Sequence, residues 1–160
     1  MKKIIISPWS RNLPGERKNA KNFHRWQQVV KRLRDLGFHV IQIGVKGEEI
    51  VEGVNEIKFN LPFKELKDLV RECDSWISVD NFMNHFGAWM KRPGVVIFGK
   101  SDPDIFGHPE NKNLLKNRRF LRDDQFLPWG MEKHDSNVFV SENEVIEALL
   151  ELLEIRANLS

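Results

Sequence analysis

The chain has 160 residues, 41% of them hydrophobic and 30% charged, which is the size and make-up of a single domain able to bury a core without disulfides or metal. Its 25 Lys and Arg against 23 Asp and Glu leave a formal charge of +2, so bulk charge gives no argument for DNA or a membrane surface as partner. The lone Cys73 excludes an internal disulfide, and the apolar run after Lys2-Lys3 is too short for a signal peptide or membrane span, so a reduced, cytoplasmic protein is expected.

Ile4-Ile5-Ile6, β-branched and stopped by Ser7-Pro8, predicts a buried first strand. Phe23, Trp26, Val30 and Leu33 then recur at helical spacing, with Lys31, Arg32, Arg34 and Asp35 on other faces and Gly37 as the stop. Residues 38–44 and 55–59 predict the second and third strands. A short acidic segment separates them, for which a helix is one open reading. Leu61-Pro62 opens a helical pattern through Phe63, Leu66, Leu69 and Val70, and Cys73 at its end is read as core. Residues 75–80 predict a fourth strand, 82–90 a helix broken by Pro93-Gly94, and 95–98 a fifth strand. From Gly99 to about Pro128 the periodicity is lost, and Val145, Leu149 and Leu152 or Leu153 then mark a C-terminal helix.

Strands that are apolar on both faces and alternate with helices imply a Rossmann-like, three-layer α/β/α fold with a mainly parallel sheet. The expected organisation is one domain over 1–160: a core over 1–105, a polar and basic loop region over 106–140, and a C-terminal helix over 141–156. Right-handed crossovers bring the strand C-termini to one edge, where such sheets bind ligands.

Four segments at that edge carry candidate chemistry. Asp80 ends the fourth strand, Asn81 is a natural helix cap, and His85 lies one turn further; the helix's unpaired N–H groups favour an anion such as phosphate. The plain alternative is that Asp80 and Asn81 only cap the helix while His85 packs against neighbours. After the second strand, Glu48 or Glu49 is placed to accept from ribose hydroxyls. In the loop after the first strand, Ser10, Arg11, Arg17, Lys18 and Lys21 are candidates for phosphate contacts. After the fifth strand, Gly99 permits close backbone approach and Ser101 and Asp102 follow it. Neither G-x-G-x-x-G nor G-x-x-x-x-G-K-[ST] is present, and no Cys/His metal spacing or nucleophile elbow appears. Lys112, Lys116, Arg118, Arg119 and Arg122, with Phe120 and Phe126 among them, form a basic run that suits either a solvated surface or single-stranded nucleic acid.

Taken together over residues 3–105, these segments resemble the donor-binding C-terminal lobe of heptosyltransferase-like glycosyltransferases (family 9), which have the two-lobed GT-B fold. Asp80 and His85 match the ends of the family's D-[ST]-G-x-x-H motif, Gly44 and Glu48 its G-x-x-x-E element, Lys18 or Lys21 its basic residue, and Phe98-Gly99-Lys100-Ser101-Asp102-Pro103 its F-G-x-[ST]-x-P strand end. The resemblance implies a nucleotide-sugar donor as substrate and no cofactor. Asp80 would face phosphate or sugar, Glu48 the ribose, and the lysine the diphosphate. Phe82 departs from the pattern, which has glycine there. The acceptor lobe, with the family's catalytic carboxylate, is expected to lie outside this chain, so a partner chain or homodimer is implied and no residue here inherits the base's role. Asp102, Asp104 and His108 are the residues able to overturn that view. The rival reading is a non-catalytic module for a nucleotide or single-stranded nucleic acid.

Overall fold

The computed structural model describes residues 1–11, 13 and 18–159. Its centre is a six-stranded sheet, every pair of which is parallel. The strands are β1 (Lys3–Ser7), β2 (His39–Gly44), β3 (Glu56–Phe59), β4 (Ser75–Val79), β5 (Val95–Phe98) and β6 (Lys112–Leu115), in the spatial order β3-β2-β1-β4-β5-β6. The helices are α1 (Trp26–Asp35), α2 (Phe63–Glu72), α3 (Phe82–Trp89), the short α4 (Pro103–Phe106) and α5 (Glu142–Leu159).

Side chains alternate across the sheet and sort the helices into two layers. Ile4 and Ile6 join Val40, Ile77 and Ile97 on the face covered by α1 and α5, through Trp26, Val30, Leu33, Val145 and Leu149. Ile5, Ile41, Ile43, Val96 and Phe98 face the other way, onto Leu69 and Val70 of α2 and Met83 of α3. Cys73 is buried in this second layer, and burial pushes its thiol pKa up to about 11.

Helix α1 ends as its glycine predicts: Gly37 is left-handed (φ +89°), its N–H reaches Arg34 O at 2.9 Å and that of Phe38 reaches Leu33 O at 3.0 Å. Helix α3 ends the same way without glycine. Lys91 is left-handed (φ +57°), and the N–H of Arg92 reaches Gly87 O at 2.9 Å. Two glycines let Trp76 of β4 lie flat beneath α3. A Cβ on Gly87 would fall 2.3 Å from the indole and one on Gly94 2.2 Å, while Trp76 Nε1 donates to Arg92 O at 2.7 Å. The backbone at Gly87 and Gly94 therefore lies against the indole, and the first turn of α3 follows the tip of β4.

Two segments differ from the sequence-based expectation. The acidic stretch 45–54 is a run of turns and not a helix, because its backbone groups are claimed from outside. Buried Gln42 donates to Glu49 O at 2.9 Å and accepts from Val51 N at 2.8 Å, and Trp9 Nε1 donates to Glu49 O at 2.8 Å. The aperiodic stretch after residue 99 contains α4 and the edge strand β6, whose Leu114 and Leu115 pack toward opposite layers. Part of the rest is tied to the core: buried Gln125 accepts from Asp102 N and donates to Lys100 O, both at 2.9 Å.

Candidate functional site

In this strand order the chain leaves the central strand β1 toward β2 on one side and reaches β4 on the other, so the loops at their C-terminal ends diverge and leave a crevice. A cleft of about 1240 Å³ opens there. Ser7, Trp9, Ser10, Arg11, Lys18 and Lys21 line it from the loop after β1. Gly44 to Glu49 line it after β2, Asn60 and Leu61 after β3, and Asp80, Asn81 and Phe82 after β4. His134 reaches it from far along the chain, where its Nε2 lies 2.7 Å from Asn22 O.

At the β2 end, Glu48 closes a tight turn. Its N–H donates to Val45 O at 3.2 Å, and its Oε1 accepts from Val45 N at 2.5 Å. Gly47 in that turn is left-handed, φ +96°. One carboxylate oxygen is thus fixed by the backbone, and the carboxylate is held at the cleft wall. Asn60, left-handed at φ +55°, braces the same corner by accepting from Lys46 N at 3.1 Å.

At the β4 end, Asp80 is buried, at 4% exposure, and Lys21 Nζ stands 3.2 Å from its Oδ2. Lys21 also lies 4.8 Å over the Trp129 ring, whose other close cation is Arg122 at 3.9 Å. Among the described residues the partner of Oδ2 is Lys21, as an ion pair. The Asp80 backbone carbonyl accepts from Ser10 Oγ at 3.1 Å, tying the β1 loop to the β4 tip.

Asn81 caps α3 through Met83 N at 3.0 Å, and its amide donates to Ser7 O and Ser7 Oγ, each at 3.1 Å, and to Trp9 O at 3.3 Å. Its side chain thus links the first turn of α3 to the β1 loop.

Ser10, Arg11, Lys18, Lys21, Glu48, Asp80 and Asn81 therefore meet at one cleft, although they come from three separate loops. His85, Ser101 and Asp102 are not among its lining residues. His85 is exposed, and its Nδ1 lies 2.9 Å from His108 Nε2. Asp102 caps α4 and is gripped by Arg118 at 2.8 and 3.1 Å, which holds its carboxyl below its ordinary pKa. Arg17 lies outside the described residues.

Sequence reasoning did not single out Trp9, Asn22, Lys58, Asn60 or His134 as cleft residues, whereas Phe82, where the family pattern has glycine, does line the cleft. A signal existed for Asn60: Asn-Leu-Pro directly after a strand marks a turn that tolerates left-handed backbone. Lys58 and Asn60 add polar groups beside Glu48, whereas His24, another lining residue, has its pKa lowered by burial and by neighbouring Arg25.

The basic run 112–122 is largely engaged within the chain. Arg118 pairs with Asp102 and Asp104, Lys112 with Glu151 at 3.3 Å, Lys116 donates to Asn137 O at 2.7 Å, and Arg122 to Asp124 O at 2.8 Å. Among the described residues no group of three or more His, Cys, Asp or Glu is placed to hold a metal ion, and no helix is long and apolar enough to cross a membrane.

Residues 7–122 match the family model described as glycosyltransferase family 9 (heptosyltransferase). No curated protein matches the sequence. The fold is similar to Escherichia coli ADP-heptose LPS heptosyltransferase II, with TM-score 0.72 and 18% identity over 98% of this chain and 47% of that one. It is also similar to a family 9 glycosyltransferase from Veillonella parvula (0.67, 17%, 96% and 47%) and to E. coli heptosyltransferase WaaC with ADP (0.65, 14%, 94% and 44%). The chain spans about half the length of each of these proteins, and the likeness establishes a Rossmann-like sheet of the kind found in GT-B heptosyltransferases.

Proposed function

The chain belongs to glycosyltransferase family 9, and from that premise we propose that its cleft is the donor half of a sugar-transfer site, holding a nucleoside-diphosphate sugar across the strand tips. The observation that carries this reading is the convergence of Glu48, Lys18, Lys21 and Asp80 on one cleft from three loops. Glu48 offers a fixed carboxylate to the ribose hydroxyls. Lys18, Lys21 and Arg11 supply positive charge for the diphosphate. Asp80, beside Lys21, meets the ligand beyond the phosphates.

In the transfer an acceptor hydroxyl attacks the anomeric carbon, the bond from that carbon to the phosphate oxygen breaks, and the nucleoside diphosphate leaves with the electron pair while a base takes the acceptor's proton. This chain's share is to orient the donor and to stabilise the charge that grows on the leaving diphosphate. Acceptor binding and the base belong to a partner lobe or chain. The three similar structures, one of them an ADP-heptose transferase by its description and one holding ADP, make adenine the first base to try.

The test is thermal unfolding with ADP, ADP-heptose, UDP, UDP-glucose, inorganic pyrophosphate and a short oligonucleotide. A ligand at 100 times its Kd stabilises by about 2.7 kcal/mol. Selective stabilisation by a nucleoside diphosphate and its sugar ester is expected. Stabilisation by the oligonucleotide alone overturns the reading.

A further inference from the structure

Resting on the donor-site reading above, we infer that Trp129 is a positioning residue for the diphosphate: its ring holds the Lys21 ammonium in place from outside the cleft. Lys21 lines the cleft, whereas Trp129 is not among the lining residues. The lysine head stands 3.2 Å from Asp80 Oδ2 and 4.8 Å from the centre of the Trp129 ring. These two groups act differently on a ligand. A carboxylate attracts the ammonium but repels an incoming phosphate, while the face of an indole attracts the ammonium and carries no net charge.

The ring can set the lysine's place because it is itself fixed. Arg122 lies 3.9 Å over it and is buried, at 8% exposure. The Arg122 guanidinium donates to Asp124 O at 2.8 Å and to Leu127 O, which closes the turn leading into Trp129. That turn is tied to the residues after β5, where Arg122 N and Gln125 Nε2 both donate to Lys100 O, at 3.1 and 2.9 Å. Beyond the ring, Lys100 Nζ donates to Lys133 O at 2.8 Å and pairs with Glu132 at 3.4 Å. Residues 122–133 are therefore anchored beyond the end of β5 on both sides of Trp129.

The same segment grips the β1 loop a second time, one residue past Lys21. His134 Nε2 lies 2.7 Å from Asn22 O, and Asn22 Oδ1 accepts from Ser10 N at 2.7 Å. Lys21 N in turn donates to Asn19 Oδ1 at 3.0 Å. A lysine has a long, flexible stem, and one held in advance loses less freedom on taking a phosphate than one that roams. The segment after β6 thus prepares a cation that belongs to the loop after β1.

Titration calorimetry on the whole chain with inorganic pyrophosphate, ADP and UDP tests this. Trp129→Leu should raise the Kd of each ligand that binds about three- to fivefold, while Trp129→Phe, which keeps an aromatic face, should recover most of that loss. A packing role alone makes leucine as good a replacement as phenylalanine, so equal affinities in the two variants overturn the assignment. In a Lys21→Ala background Trp129→Leu should cost nothing further, because the cation it holds is gone. A loss that persists there also overturns the inference and leaves the donor-site reading standing. A wild-type chain that binds none of the three ligands overturns both.

Discussion

The Glu48 carboxylate folds back over Gly44 so closely that a Cβ at position 44 would lie 2.6 Å from its Oε1. The glycine is needed for the space it leaves and not for backbone freedom, since its φ is not in the left-handed region. Gly44→Ala should push the flexible Glu48 side chain out of its turn, lower affinity for nucleoside diphosphates about tenfold, and scarcely change stability. Glu48→Gln should reproduce the affinity loss. Inorganic pyrophosphate, which has no ribose, should bind both variants as it binds wild type; calorimetry that finds equal losses removes Glu48 from the ribose.

Lys21 should act on the ligand and on stability by separable routes. Lys21→Ala leaves the buried Asp80 carboxylate without its counter-charge, at a cost of about 1–3 kcal/mol. It should also weaken diphosphate binding about tenfold. In the double variant with Asp80→Asn most of the stability should return, because no charge is then stranded, while diphosphate affinity should not. Urea unfolding and calorimetry on the four proteins of that cycle decide the matter.

Gly94→Ala tests the wedge beneath α3. Its new Cβ would meet the Trp76 indole at 2.2 Å, and that ring is held by its bond to Arg92 O and by Gly87 on the helix side. The ring has nowhere to retreat, so a loss of about 3 kcal/mol is expected in urea unfolding. A variant as stable as wild type shows that the indole is free to shift.

Acid should weaken the attachment of the segment after β6. Arg118 lowers the pKa of Asp102 in the folded state, so this carboxylate contributes stability above its unfolded pKa of about 4 and loses it as pH falls through the lower folded value. Asp102→Asn should therefore be less stable than wild type at neutral pH, with the gap closing below about pH 4. A constant gap across a series of unfolding curves would show that the residue acts through its cap on Asp104 N alone.

What the chain discloses before folding depends on how far each interaction reaches. Ile4 to Ile6, the Trp26 to Leu33 stripe and Gly37 are local patterns, and the strand and helix they predict are present. The stretch 45–54 was open to a helical reading because its competitors, Gln42 and Trp9, act only once the sheet has formed. Strand β6 is four residues long with two polar members, too short to show a period, and its evidence is the register it shares with β5. The positions of Asp80, directly after a strand, and of Glu48, four residues past one, were legible at the sheet edge. His134 was not, since it meets Asn22 across 112 residues of sequence. His85, spaced like a ligand, pairs with His108, a partner that spacing along one helix cannot reveal.

The packing of α5 against α1 sets the order in which the molecule can be completed. Phe23, Trp26, Val30 and Leu33 share a core with Val145, Ile146 and Leu149, and Arg25 meets Glu142 at 2.8 Å from 117 residues away. During synthesis the first helix emerges long before its cover, so its Trp26 and the preceding Phe23 stay wet, or in the care of a chaperone, until residues 142–159 leave the ribosome. The layer laid down first is sealed last, and a nascent chain halted before α5 presents a sticky face however well its other layer has set.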